Sequence, residues 1–180
     1  VVSALVTIKD KTFRPYISEQ QIRSAVGELA SAINRDLAGE TPVFLVVLNG
    51  SFMFASDLLK EINIPCELSF IKVASYHGTN SAGSVTELIG LTEDLGGRTV
   101  VIVEDIVDTG TTVEKLISVL AKKNVKQVKI ASALFKPEAY KKEYKIDYPG
   151  IKIGNEFVVG YGLDYDGQGR NLKEIYVLDK

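Results

Sequence analysis

Two short, uninterrupted apolar runs, Val43-Phe44-Leu45-Val46-Val47-Leu48 and Thr99 to Val103, limit what this chain can fold into more than any other feature. A strand with one face in water alternates apolar and polar residues, so a continuous run predicts a strand covered on both faces. Around these runs the period changes to a helical one. Ser18 followed by Gln21 makes a capping box, and Ile22, Val26, Leu29, Ile33 and Leu37 then recur at helical spacing until Gly39. Phe52 to Ile62 reads as a second helix. Val113, Leu116, Ile117 and Leu120 mark a third, with Asn124 placed to stop it. Further strands are expected at Glu67 to Val73, Thr86 to Leu91 and Val125 to Phe135. Covered strands alternating with helices predict an α/β fold: a doubly wound, mainly parallel sheet with helices on both faces. Ligands of such sheets sit beyond the carboxyl ends of the strands.

Two segments depart from this rhythm. Ser75 to Ser84 reads SYHGTNSAGS, with little to anchor it in a core, and is expected to be a mobile loop. Residues 143–180 carry many tyrosines and glycines but no helical period, and read as the main part of a small cap, or hood, of short strands and loops from the chain ends. With no linker or repeat, residues 1–180 form one domain. Lys and Arg number 21 against 23 Asp and Glu, a net charge of −2, so no broad cationic face exists to bind nucleic acid. No apolar run reaches the ~20 residues of a membrane span, and the start does not look like a signal peptide. One cysteine, Cys66, and one histidine, His77, exclude an internal disulfide and a zinc cluster, and point to a reducing, cytoplasmic setting. Cys66 is expected to be a small buried filler and His77 an ordinary loop residue.

Chemistry concentrates at Val100 to Thr112, VVIVEDIVDTGTT. A buried strand delivers Glu104 and Asp105 at its carboxyl end, and Asp108-Thr109-Gly110-Thr111-Thr112 then enters a helix. Such a loop turns consecutive backbone N–H groups and three hydroxyls toward one anion, with Gly110 permitting the turn and the helix dipole adding favourable potential. Two carboxylates beside an anion site call for a cation or a sugar hydroxyl. Two other glycine-rich patterns carry nothing: Gly162 to Gly167 lacks the lysine and hydroxyl of a P-loop, and Asp164 to Ile175 lacks the closing glutamate of an EF-hand.

The strand, Glu-Asp, two apolar residues and Asp-Thr-Gly-Thr-Thr together resemble the phosphoribosyl pyrophosphate motif of the type I phosphoribosyltransferases. Val47 to Phe52 with Asp57-Leu58, the pair Ser75-Tyr76, Leu134-Phe135-Lys136, and Phe157 to Tyr165 with Arg170 narrow the resemblance to the hypoxanthine-guanine (6-oxopurine) branch. It covers about residues 5 to 179. The resemblance implies that hypoxanthine, and guanine, is joined to phosphoribosyl pyrophosphate with release of pyrophosphate. It assigns Glu104 and Asp105 to the ribose hydroxyls, Asp108 to acid/base work at purine N7, and the 5′-phosphate to Asp108, Thr109, Gly110, Thr111 and Thr112. Lys136 would donate to the 6-oxo group, Phe157 would stack on the ring, and backbone groups of Val158 would read its edge.

Asn49 and Gly50, after an implied cis peptide at Leu48–Asn49, would meet pyrophosphate together with Arg170. Ser75 and Tyr76 would close over the reacting centre. Two Mg2+ ions are implied, one with the ribose hydroxyls and pyrophosphate beside Glu104 and Asp105, the other near Asp164. The resemblance also implies a homodimer or homotetramer. Many relatives carry a basic residue where this chain has Asn49, and some carry an arginine soon after the position of Lys136 that is absent here. A xanthine-preferring enzyme is a near alternative. A regulator of the same fold that binds nucleotides or nucleic acid is a more distant one, and the composition disfavours its nucleic-acid form.

Overall fold

The structure, a computed structural model, describes residues 4–75, 86–89, 91 and 93–179. In chain order the elements are β1 (Val6–Ile8), β2 (Lys11–Ile17), α1 (Glu19–Asp36), β3 (Val43–Leu48), α2 (Phe52–Glu61), β4 (Glu67–Ser75), β5 (Thr86–Ile89), β6 (Thr99–Val107), α3 (Thr111–Ala121), β7 (Gln127–Phe135), β8 (Tyr148–Lys152), β9 (Val158–Val159) and β10 (Ile175–Leu178).

Six strands form the main sheet in the order β5-β4-β3-β6-β7-β8, parallel except for the antiparallel edge strand β5. The side chains of β3 divide between two cores. Phe44 and Val46 pack with α1 and α2 on one face, whereas Val43, Leu45 and Val47 pack with α3 on the other. Burial of both faces is why the run shows no alternation. The α1 start is the expected capping box: the Gln21 N–H donates to Ser18 Oγ at 3.3 Å and the Ser18 N–H to Gln21 Oε1 at 2.9 Å. From β3 the chain moves outward through α2 to β4. From β6, on the other side of β3, it moves the opposite way through α3 to β7. The carboxyl ends of β3 and β6 therefore flank the switch point where a doubly wound sheet opens a crevice.

A second, antiparallel sheet, β1-β2-β10-β9, forms the hood from both chain ends. This corrects the reading of residues 143–180 as cap alone, because Tyr148–Lys152 joins the main sheet as its parallel edge strand β8. Its short YPGIK sequence gives no apolar run, and Gly150 lets it approach β7 closely: a Cβ there would fall 2.2 Å from Ala133 O. Cys66, expected to be buried, is exposed in the connection before β4. Among the described residues no helix is long and apolar enough to cross a membrane.

Candidate active site

Three loops and the hood meet at the crevice. Strand β6 runs two residues beyond Asp105, so Glu104 and Asp105 belong to the strand's last turns of pleat rather than to the loop after it. Glu104 is only 5% exposed, and its Oε1 finds no hydrogen-bond partner. Burial, reinforced by the neighbouring Asp105 charge, holds its carboxyl well above the ordinary carboxylate range. Asp105 is also raised, mainly by burial; the Ile106 N–H donating to its Oδ1 at 2.7 Å and the Arg170 guanidinium work in the opposite direction.

The loop between β3 and α2 lies against these carboxylates. The Leu48–Asn49 peptide is cis, and Asn49 is exposed while Gly50 is buried. A Cβ on Gly50 would fall 1.5 Å from Asp105 Oδ2, so only glycine lets the backbone pass there. The hood closes on the same point. Gly162, at φ +100°, would place a Cβ 1.9 Å from Gly50 O. Arg170 Nη1 donates to Gly162 O at 2.7 Å, and its Nη2 pairs with Asp164 Oδ1 at 2.7 Å. Asp164 Oδ2 accepts the Gly167 N–H at 2.7 Å, so both of its oxygens are engaged. Asp105, Gly50, Gly162, Arg170 and Asp164 thus form one continuous chain of contacts drawn from three separate stretches of sequence.

The anion loop follows β6. Gly110, at φ +83°, is the N-cap of α3, and Thr109 and Thr111 hydroxyls lie 3.1 Å apart. Thr109 and Thr111 are exposed, whereas Asp108 and Thr112 are partly buried. Lys136, just past β7 and 8% exposed, donates from Nζ to Asp108 Oδ2 at 3.0 Å. A lone lysine after a strand is more often a surface residue; here its ammonium reaches the loop. Phe157 is 46% exposed and presents its ring from the hood, held by Phe13 and Tyr165 at centroid distances of 6.3 and 5.9 Å. Val158 is buried in β9 opposite Val177. Ser75 ends β4; Tyr76 and the rest of the loop read as mobile lie outside the described residues. Among the described residues no three carboxylate, imidazole or thiol groups gather as a metal cluster.

Several contributors escape sequence reasoning. Tyr161 is buried and its OH donates to Asp57 Oδ2 at 2.9 Å, tying the hood to α2. Gly162 could have been found from the cluster of glycines around it, but its contact with Gly50 could not. Phe13 carries no local signal at all.

A strand-end acidic pair, a glycine-turned loop opening a helix and a buried lysine meet at the switch point of a doubly wound sheet, the place where proteins of this class bind phosphorylated ligands. Residues 17–166 match the Phosphoribosyl transferase domain family. The chain is 42% identical over 163 residues to a hypoxanthine-guanine phosphoribosyltransferase of Streptococcus pneumoniae, covering 90% of this chain and 91% of that protein. It is 41% identical to one of Lactococcus lactis, covering 90% and 88%. A crystal structure of a hypoxanthine phosphoribosyltransferase from Staphylococcus aureus superposes with a TM-score of 0.85 at 36% identity, over 92% of this chain and 91% of that one. This chain belongs to the hypoxanthine-guanine phosphoribosyltransferase family of pentosyltransferases.

Proposed function

We propose that the protein joins hypoxanthine, and guanine, to 5-phosphoribosyl pyrophosphate, giving the nucleoside monophosphate and pyrophosphate in purine salvage. The observation that carries this reading is the 3.0 Å pair between buried Lys136 and Asp108 at the mouth of the anion loop. An ammonium can only donate, so it favours the 6-oxo acceptor of hypoxanthine and opposes the 6-amino donor of adenine. Asp108, released from Lys136 when the base enters, holds a proton at purine N7.

Breaking the ribose–pyrophosphate bond develops positive charge on the sugar and negative charge on the leaving group. Glu104 and Asp105 suit the first, as acceptors for the ribose hydroxyls. The unpartnered, buried Glu104 Oε1 supports that role, because such an oxygen is costly unless a ligand supplies its donor. The N–H groups of Asp108 to Thr112 hold the 5′-phosphate, Phe157 stacks on the purine, and backbone groups of Val158 read its edge. Asn49, Gly50 and Arg170 meet pyrophosphate.

Glu104 and Asp105 would hold one Mg2+ ion and Asp164 a second, and such ions would supply positive charge opposite the charge developing on pyrophosphate. The working form is a cytoplasmic homodimer or homotetramer. Leu68 and Phe70, about half exposed on one face of β4, supply apolar surface for assembly. Light scattering at micromolar concentration checks it, and a monomer would remove it.

Assaying hypoxanthine, guanine, xanthine and adenine with phosphoribosyl pyrophosphate tests the reaction. Hypoxanthine and guanine should be used, and adenine should be disfavoured by at least ~10³ in kcat/KM. A best rate with xanthine would redirect the base assignment. Full activity in excess chelator would remove the metal assignment.

A further inference from the structure

The segment after β7 folds back over the anion loop and covers the side that Gly110 leaves bare. A Cβ on Gly110 would fall 2.4 Å from Tyr140 Cε2 and 2.8 Å from Lys142 Cγ. Tyr140 is fixed there: its N–H donates to Lys136 O at 3.1 Å, its OH to Tyr144 O at 2.7 Å, and its ring meets Phe135 edge-on at 5.6 Å. Lys142 reaches further and places Nζ 2.7 Å from Glu114 Oε2. Glu114 stands in the first turn of α3, and its N–H donates to Gly110 O at 3.0 Å, one turn above the loop.

That position sets two effects against each other. A carboxylate in the first turn stabilises a free helix, but it repels an anion bound at the same end. A phosphate cradle with an uncompensated glutamate one turn into its helix would work against its ligand, and the lysine ammonium offsets that charge at close range. We propose that Lys142 is a positioning residue for the 5′-phosphate: it neutralises Glu114 in the first turn of α3 and, with Tyr140, backs the Gly110 turn. The inference rests on the reading of residues 108–112 as the 5′-phosphate loop.

The role predicts opposite signs at the two ends of one ion pair. Lys142→Met removes the compensating charge and should weaken binding of inosine monophosphate about three- to tenfold, raising KM for phosphoribosyl pyrophosphate but not for hypoxanthine. Glu114→Gln should tighten the nucleotide. The double variant should return to within about twofold of the parent, and Lys142→Arg should behave like the parent. The Lys142→Met effect should shrink between about 50 and about 500 mM salt.

Titration calorimetry with inosine monophosphate, alongside the two KM values, reads all of this. A merely structural pair would show both single variants weakening the nucleotide, with no recovery in the double; that result would overturn the proposal. Should Lys142→Met not fold, the sign of the Glu114→Gln effect decides alone, and weaker or unaltered binding there overturns it. If the parent itself bound neither inosine monophosphate nor phosphoribosyl pyrophosphate, the reading of the loop would have failed, a different outcome from the failure of Lys142.

Discussion

Glu104 in the sheet and Asp164 in the hood are both carboxylates at one crevice, yet their surroundings are opposite. Glu104 is buried with an unpartnered oxygen, held in place by a central strand. Asp164 is partly exposed and satisfied on both oxygens, by Arg170 and by the Gly167 N–H. On the proposed reading, Glu104 would take up a ligand donor without giving up a partner, whereas Asp164 would exchange one it already has. Preorganised groups on rigid strands make the larger contribution to a transition state, because no rearrangement is needed when charge develops. Replacing a charged group on the sheet side is accordingly expected to cost more than replacing one in the hood.

Lys136 tests whether location or existing pairing governs, since it comes from the sheet but is already paired with Asp108. Lys136→Met keeps the stem and removes the charge. Its hypoxanthine kcat/KM should fall by ~10³ and the preference over adenine should collapse toward unity. A variant that discriminated as strongly as the parent would move base reading to Val158. Gly50→Ala attacks the seam between the two halves: the added methyl would collide with Asp105 Oδ2, and a displacement near 1 Å should lower kcat/KM by about 100-fold. Gly162→Ala should do comparable damage from the hood side through Gly50 O.

Asp164→Ala should cost less, a little more than ~10-fold in kcat/KM, on the scale of one or two kcal/mol of charge stabilisation. A loss matching that of Gly50→Ala would erase the asymmetry. The smallest effect concerns stability. Burial raises the folded-state pKa of Glu104 above its ordinary 4.5. Between those two values the folded protein holds a proton that the unfolded chain has lost, so this group's contribution to stability declines as pH climbs through that window. Glu104→Gln is neutral throughout and should flatten the decline, raising Tm of the ligand-free protein by about 2 °C or more on the alkaline side of it, while lowering activity. An unaltered or lower Tm would show that the carboxyl has found a donor.

Much of this was legible in order of sequence separation. The helix cap at Ser18, the doubly covered strands and the loop from Glu104 to Thr112 are local patterns, and each stands where its pattern predicts. β8 lies in the main sheet rather than the hood, a placement the sequence conceals because a short edge strand with a proline and a glycine leaves no apolar run to read. Cys66 faces water because residue type alone does not decide which way a short connection turns its side chains.

The sequence by itself determined the three helices, the doubly covered central strands and the doubly wound class, because periodicity acts over a few residues. Only the tertiary structure decided what those residues face. Gly50 passes Asp105 and meets Gly162, Tyr161 reaches Asp57, and Lys142 finds Glu114 across distances in the chain that no local period encodes. These contacts arise from sheet order and from two chain ends pairing into one hood. Both are settled by burial of surface over the whole domain, and the local spacing of side chains leaves them open.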